Sequence, residues 1–253
     1  MLYCLDLTFN VLKEQFFLKN TIGKIRAAID KYSMIKDGDK IAIGVSGGKD
    51  SVALLWALSE LRNYYPNKFE IVAITIDPYF NGLPTDYSEM SDMCSKLGIQ
   101  HIVKKSSLWE IVFKVRNEKN PCSLCSKMRR GMLHNVAVDN GCNVVALGHH
   151  LDDAVQTFFM NLFNGGKIGC FAPLSYLSVK KINVIRPLIF CHESEIISTV
   201  NKFNLPVCKS ECPVDGATER KKINDKILEI EKSYPKLRKK VISAMKNAHI
   251  DNW

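Results

Sequence analysis

Ile41-Ala42-Ile43-Gly44-Val45-Ser46-Gly47-Gly48-Lys49-Asp50-Ser51 is an apolar run that breaks into a glycine-rich turn, and apolar residues resume at once from Val52 to Leu61. A strand, a turn and a helix in that order gather free backbone N–H groups and the positive end of the helix dipole around one small volume. Such a volume holds phosphate. A Walker A loop would need Ser or Thr directly after its lysine, whereas Lys49 is followed by Asp50. A dinucleotide fingerprint fails as well, because no glycine falls at its third required position.

Outward from this turn, strands and helices alternate. The pattern predicts strands at about 39–45, 69–76, 100–104, 143–147 and 182–186, with helices from Ser51, near 86–97, from after Cys125 to Asn140-Gly141, and over 154–163. Helical spacing also covers parts of 8–34, and the chain after Arg186 reads as wholly helical, at about 192–203, 216–232 and 235–248. The stretch from Gly165 to Ser178 reads as loop. The expectation is an α/β fold: a doubly wound parallel sheet of about five strands over residues 39–190, with a helical segment at 1–38 and a basic helical region at 191–253. In such a sheet ligands bind at the carboxyl ends of the strands. The turns Ser46 to Ser51 and Gly148 to Asp153 should therefore open on one edge.

The second of these turns, Gly148-His149-His150-Leu151-Asp152-Asp153, combines a glycine, two imidazoles and paired carboxylates. Near a triphosphate a carboxylate can hold Mg²⁺, which takes only one or two protein oxygens; one of the pair can equally cap the helix that follows. Asp152 is assigned the capping role and Asp153 the functional one. His149 is a candidate for contact with nucleotide.

Length and charge bound the rest. The 253 residues can bury a sizeable core, and a formal net charge of +9 without low-complexity runs favours a polyanionic partner. Basic residues concentrate in Arg220-Lys221-Lys222 and Lys236-Leu237-Arg238-Lys239-Lys240. These runs read either as an RNA-contacting surface or as solvated helix faces partly neutralised by Asp225, Glu229 and Glu231. No apolar stretch approaches membrane-spanning length and no leader pattern opens the chain, so the expectation is a cytoplasmic protein without a membrane partner.

Nine cysteines cannot all pair, and a reducing compartment points to metal or reactive thiols instead. Cys94, Cys142, Cys170 and Cys191 stand among apolar neighbours and read as buried small hydrophobes; Cys4 is solitary. Cys122 and Cys125, three apart at a helix start and followed by Arg129 and Arg130, are expected to have depressed pKa values. A thiolate pair suits zinc, a redox disulfide or an iron-sulfur cluster. Cys208 and Cys212 are the nearest further candidates.

Ser46-Gly47-Gly48-Lys49-Asp50-Ser51 resembles the pyrophosphate loop of the ATP pyrophosphatases, the PP-loop superfamily with its adenine nucleotide alpha hydrolase-like fold. Together with Cys122-Ser-Leu-Cys125-Ser-x-x-Arg129-Arg130-Gly131, Ala146-Leu-Gly-His-His-x-Asp-Asp153 and Val184-Ile-Arg-Pro-Leu188, in that order, the chain resembles the tRNA 2-thiocytidine biosynthesis (TtcA-type) family over roughly residues 20 to 248. That resemblance implies a tRNA sulfurtransferase that uses ATP, Mg²⁺ and a 4Fe-4S cluster held by three cysteines. Cys122 and Cys125 match the first two cluster ligands and Cys212 the third. Relatives often show two residues between the cysteines near the third position, whereas Cys208 and Cys212 are separated by three, a departure that leaves the role of Cys208 open and bears slightly on the match of Cys212.

In this reading ATP is held by Ser46, Gly47, Gly48, Lys49, Asp50, Ser51, Gly148, His149 and Asp153, and Mg²⁺ by Asp153. Lys49 offsets charge on the leaving pyrophosphate. Arg129, one helical turn after Cys125, faces the same pocket and polarises the activated carbonyl. Expected partners are tRNA and a sulfur donor, either a cysteine desulfurase or inorganic sulfide, and a homodimer is left open. Two enzymatic alternatives stand beside this one, a tRNA 2-thiouridine synthetase and a PP-loop sulfurtransferase working through a persulfide. A non-catalytic, metal-stabilised RNA-binding module is the alternative of another class.

Overall fold

The computed structural model describes residues 21–116, 121–209, 211–213 and 219–253. The helical expectation over 8–20, the start of the helix expected at 216 and Cys4 lie outside these residues. A helix α1 (residues 21–32) leads into β1 (Asp39–Gly44) and α2 (Lys49–Arg62), then β2 (Phe69–Asp77), α3 (Ser88–Lys96) and β3 (Gln100–Lys105). The chain continues through α4 (Pro121–Asp139), β4 (Val144–Ala146), α5 (Leu151–Gly165), β5 (Leu174–Leu177) and β6 (Ile182–Ile185). It ends with α6 (Glu193–Lys202), α7 (Glu219–Ser233) and α8 (Leu237–Asn247).

The strands form one sheet in the order β3-β2-β1-β4-β6-β5. All neighbours run parallel except β5, which is antiparallel to β6. The chain leaves β1 in one direction to build β2 and β3 and returns to its other side with β4, so the crevice between the carboxyl ends of β1 and β4 is a topological switch point. The expected sheet of about five strands gains β5 as a sixth, inside the stretch expected to be loop. Its four residues form a half-buried edge with no fully buried position, so the sequence carries little hydrophobic alternation to mark it.

Side chains of the parallel strands feed two cores, because successive residues face opposite sides of a sheet. Ile41 and Ile43 pack with α2, whose positions 51–59 are all buried, while Ala42, Val72 and Ile74 pack with Leu133, Val136 and Ala137 of α4. The C-terminal helices join the first core through Ile223, Ile227, Val241, Ile242 and Met245, and Trp253 closes it, its indole N–H donating to the Phe171 carbonyl at 2.9 Å. Cys94, Cys142 and Cys191 are buried as expected, whereas Cys170 is only half-buried. Among the described residues no helix is long and apolar enough to cross a membrane.

Candidate active site

The loop after β1 is braced by its own hydroxyls. Ser51 Oγ donates to the Gly48 carbonyl at 2.8 Å and accepts from the Ser46 amide at 3.1 Å. Gly47 sits at φ +83°, a conformation that glycine adopts without steric cost. Gly48 stands at the N-cap of α2 without a side chain to occupy the free N–H groups, and Asp50 lies in the first turn. The helix end therefore stays open to an anion.

The turn after β4 meets this loop at backbone contact. A Cβ on Gly148 would lie 3.0 Å from the Asp50 carbonyl carbon and 3.1 Å from the Ser51 nitrogen, so only glycine lets the two segments touch. His150, buried, is the N-cap of α5: its Nδ1 accepts from the Asp153 amide, and its own amide donates to Asp153 Oδ2 at 3.1 Å. The roles expected for the two carboxylates are thus rearranged. Asp153 completes the capping box while also facing the cavity, and Asp152 is buried and tied to the C-terminal helices through Arg238 and the Glu193 amide. Reading the turn as a linear motif hid this, because the helix starts at Leu151 and makes His150 the cap.

Charges around this turn pull in opposite directions. Burial raises the Asp50 carboxyl above the usual carboxylate range, with His150 and Lys49 working against it. Its Oδ1 is buried without a hydrogen-bond partner. For Asp153 burial acts the same way, but His150, Arg220 and His149 outweigh it and hold the carboxyl low. Arg220 of α7 donates directly to Asp153 Oδ1. His149 is held down to about 4 by burial and by the Arg186 guanidinium. Its ring packs 4.9 Å from Phe171, and Arg186 lies over that same ring at 5.0 Å.

The opposite wall comes from α4, which starts at Pro121 and so carries both cysteines on its first turn and a half. Cys122, Cys125 and Arg129 line one cavity with Cys212, which arrives from the segment between α6 and α7. Here the structure corrects an expectation: burial pushes the Cys125 thiol up, not down, and the nearby Cys212 and Cys122 add to the rise while Arg129 opposes it. Desolvation outweighs the single guanidinium. Arg129 Nε is itself buried without a hydrogen-bond partner.

Loop, turn and thiols enclose a cavity of about 420 Å³. Of the predicted residues it brings together Ser46, Gly48, Asp50, Ser51, Gly148, His149, Asp153, Arg129, Cys122, Cys125 and Cys212. Gly47 and Lys49 are not on its wall. Lys49 Nζ turns to Asp50 at 3.1 Å and Glu193 at 2.9 Å, and Gly47 lies under Cys208. Phe80, Phe113, Ile74, Ile76 and Leu147 supply an apolar wall that no motif announced. Arg220 and Arg238 were visible in sequence only as members of basic runs, yet both are turned inward onto the Asp152-Asp153 pair.

The donor sets fit the groups the sequence implies. An orphaned Asp50 oxygen and the Asp153 carboxylate face the space beside the phosphate loop, as oxygen ligands of Mg²⁺ would. Three soft thiols on one wall suit iron-sulfur ligation. Among the described residues no three His, Cys, Asp or Glu side chains converge tightly enough to hold one metal ion. A cluster whose irons are bound by separate thiolates asks for less convergence than a closed tetrahedral zinc site.

Comparison with known proteins agrees with this geometry. A family profile described as a PP-loop domain matches residues 18–231. The chain is 35% identical over 235 residues to the tRNA-cytidine(32) 2-sulfurtransferase of Pelobacter propionicus, covering 92% of this chain and 86% of that protein. It is 36% identical over 233 residues to the enzyme of the same name from Geobacter sulfurreducens, covering 91% and 89%. Among solved structures it is similar to the U34-tRNA thiolase NcsA from Methanococcus maripaludis with its 4Fe-4S cluster, at 27% identity and a TM-score of 0.76, over 92% of this chain and 78% of that one. A phosphate loop and a cysteine trio on one cavity, in a chain with these relatives, have one family in common: the chain belongs to the PP-loop family and, within it, to the tRNA-cytidine(32) 2-sulfurtransferases.

Proposed function

We propose that the protein thiolates a cytidine in the anticodon loop of tRNA, using ATP to activate the base. The observation that carries this reading is the convergence of the Ser46–Ser51 loop and the Cys122, Cys125 and Cys212 thiols on one cavity. Activation and sulfur delivery then share a space from which a bound substrate excludes water.

The backbone N–H groups at Gly48 and the start of α2 bind the β and γ phosphates. The cytidine O2 attacks the α phosphate, pyrophosphate leaves, and the base becomes an adenylate. Asp50 and Asp153 are the residues that would hold Mg²⁺, which supplies charge neutralisation on the phosphates. Cys122, Cys125 and Cys212 would hold a 4Fe-4S cluster, which would supply the sulfur. As C2 accepts sulfur, AMP departs with the former O2. Arg129, with a free Nε beside the thiols, orients the activated base and stabilises charge as it develops. Lys49 has to leave Glu193 to meet the departing pyrophosphate.

The α/β unit of residues 39–190 carries the ATP site and the Cys122-Cys125 pair, and the region 191–253 adds Cys212 and presents exposed Lys236, Lys239 and Lys240 to tRNA. A cysteine desulfurase or inorganic sulfide renews the sulfur, in the cytoplasm. Nucleoside mass spectrometry of tRNA from cells with and without the gene tests the substrate: loss of 2-thiocytidine is expected, and unchanged thionucleosides overturn the reading. Protein purified without oxygen should be brown and lose its colour on Cys122→Ala. A colourless protein with stoichiometric zinc sinks the cluster.

A further inference from the structure

Cys208 has no place on the main cavity, yet it bonds directly to the backbone of the phosphate loop. Its amide donates to the Gly47 carbonyl at 2.9 Å. A Cβ added to Gly47 would lie 2.9 Å from the Cys208 Cβ and 3.1 Å from its Sγ, so the Cys208 side chain is pressed against the Gly47 backbone with no space between them. The Cys208 thiol reaches on to the Asp86 carbonyl at 3.7 Å, which ties the same segment to the approach to α3.

Two consequences follow from covalent geometry. The Gly47–Gly48 peptide is planar and trans, so its carbonyl and its N–H point in opposite directions. Holding the Gly47 carbonyl outward on Cys208 aims the Gly48 N–H inward, where Gly48 lines the cavity and its amide makes only a long contact of 3.3 Å to Ser46 Oγ. Between two glycines this peptide is otherwise free to flip. The second consequence concerns Cys212. Four residues of chain span at most about 14 Å, so anchoring Cys208 confines Cys212 to the neighbourhood of the thiol pair. A second cavity of about 310 Å³, bordered by Ser46, Gly48, Arg129, Cys208 and Cys212, lies along this strap.

We propose that Cys208 is a positioning residue whose backbone straps the Cys212 segment to the phosphate loop, so that filling the loop and ordering the third cysteine favour each other. The inference rests on the reading of Ser46–Ser51 as a pyrophosphate cradle and of Cys212 as a cluster ligand. Coupling of this kind is reciprocal. One backbone hydrogen bond sets its size at roughly three- to tenfold.

The test uses the full chain without metal, under anaerobic conditions, with inorganic pyrophosphate as the probe. In the unaltered protein pyrophosphate should slow hydrogen exchange at the Cys208 amide and slow alkylation of Cys212 by iodoacetamide. Cys208→Ala keeps the N–H and should behave alike. Cys208→Pro removes it and should weaken pyrophosphate binding roughly three- to tenfold. That variant should retain only the direct shielding of Cys212 that comes from a shared cavity. Pyrophosphate binding with unchanged exchange at Cys208 overturns the strap while leaving the cradle intact. Equal pyrophosphate affinity and equal Cys212 protection in Cys208→Pro overturn it too. Failure of the unaltered protein to bind pyrophosphate at all would remove the cradle, and the strap with it.

Discussion

Arg238 Nη1 donates to Asp152 Oδ1 at 2.8 Å between side chains that are 11% and 8% exposed, so a guanidinium from the last long helix is locked onto the first turn of α5. Its remaining donors reach Glu231 Oε2 at 3.0 Å and Asn224 Oδ1 at 3.1 Å, and Asp152 Oδ2 accepts from the Glu193 amide at 2.7 Å. One residue further on, Asp153 takes Arg220 from α7. Each of the paired carboxylates thus holds one arginine of the basic C-terminal region, and the arrangement fixes where the Gly148–Asp153 turn sits.

Removing Arg238 would leave Asp152 as a buried charge without its partner. Arg238→Ala is therefore expected to destabilise the fold by roughly 3–5 kcal/mol. Urea denaturation checks it: the midpoint should fall with little change in slope. A loss below about 1 kcal/mol, the scale of an exposed pair, would mean that water replaces the guanidinium.

Gly148→Ala drives a methyl group into the backbone of Asp50 and Ser51, which cannot rotate away as a side chain could. Overpacking of this kind costs about 1–3 kcal/mol, and here the strain falls on the phosphate loop. ATP affinity should drop at least about tenfold, the effect of roughly 1.4 kcal/mol, as read by calorimetry on protein that still melts cooperatively. Unchanged affinity would separate the two turns functionally.

His149 supplies a pH dependence with a definite sign. Burial and Arg186 hold its folded pKa near 4, below the unfolded value of about 6.5. Between these values the unfolded chain binds the extra proton, so stability is complete above pH 6.5 and declines as pH falls toward 4. The contribution amounts to at most roughly 3 kcal/mol. In His149→Gln this part of the slope should vanish, so the stability difference between the two proteins narrows or reverses as pH falls. A difference that stays constant from pH 7 to 4 contradicts the assignment.

Glu193 competes for the loop lysine. The Lys49–Glu193 pair spans 2.9 Å between side chains 32% and 42% exposed, and pairs this open to solvent are worth about 0.2–1 kcal/mol. Glu193→Gln should release Lys49 and tighten ATP binding by roughly two- to fivefold. Weaker binding would show that Glu193 helps the nucleotide instead.

Much of this molecule is legible without coordinates. The parallel strands and the helices between them follow from runs of apolar residues and from the Asn140-Gly141 stop, whose Gly141 sits at positive φ. β5 was not legible, because a short edge strand buries too little to leave a pattern. The phosphate loop, Gly148 and the Cys122-Cys125 pair could be named because each depends on local residue types at fixed spacing, whereas Cys212 was reached only through the family resemblance. The rise of the Cys125 pKa could not, because desolvation depends on what folds over a residue.

The sequence by itself determined the elements and much of the chemistry: a strand-turn-helix phosphate loop, the Cys122-Cys125 pair and a carboxylate turn, each written within a few neighbouring residues. Tertiary structure alone decided how these are used. It turned Lys49 from the cavity to Glu193, made His150 rather than Asp152 the cap of α5, and set Arg220 and Arg238 on the Asp153 and Asp152 carboxylates. The reason is range. Backbone propensity and motif spacing act over a turn or two, whereas the partner of a charge is whichever group packing brings within a few ångströms, and here those partners lie 67 and 86 residues away.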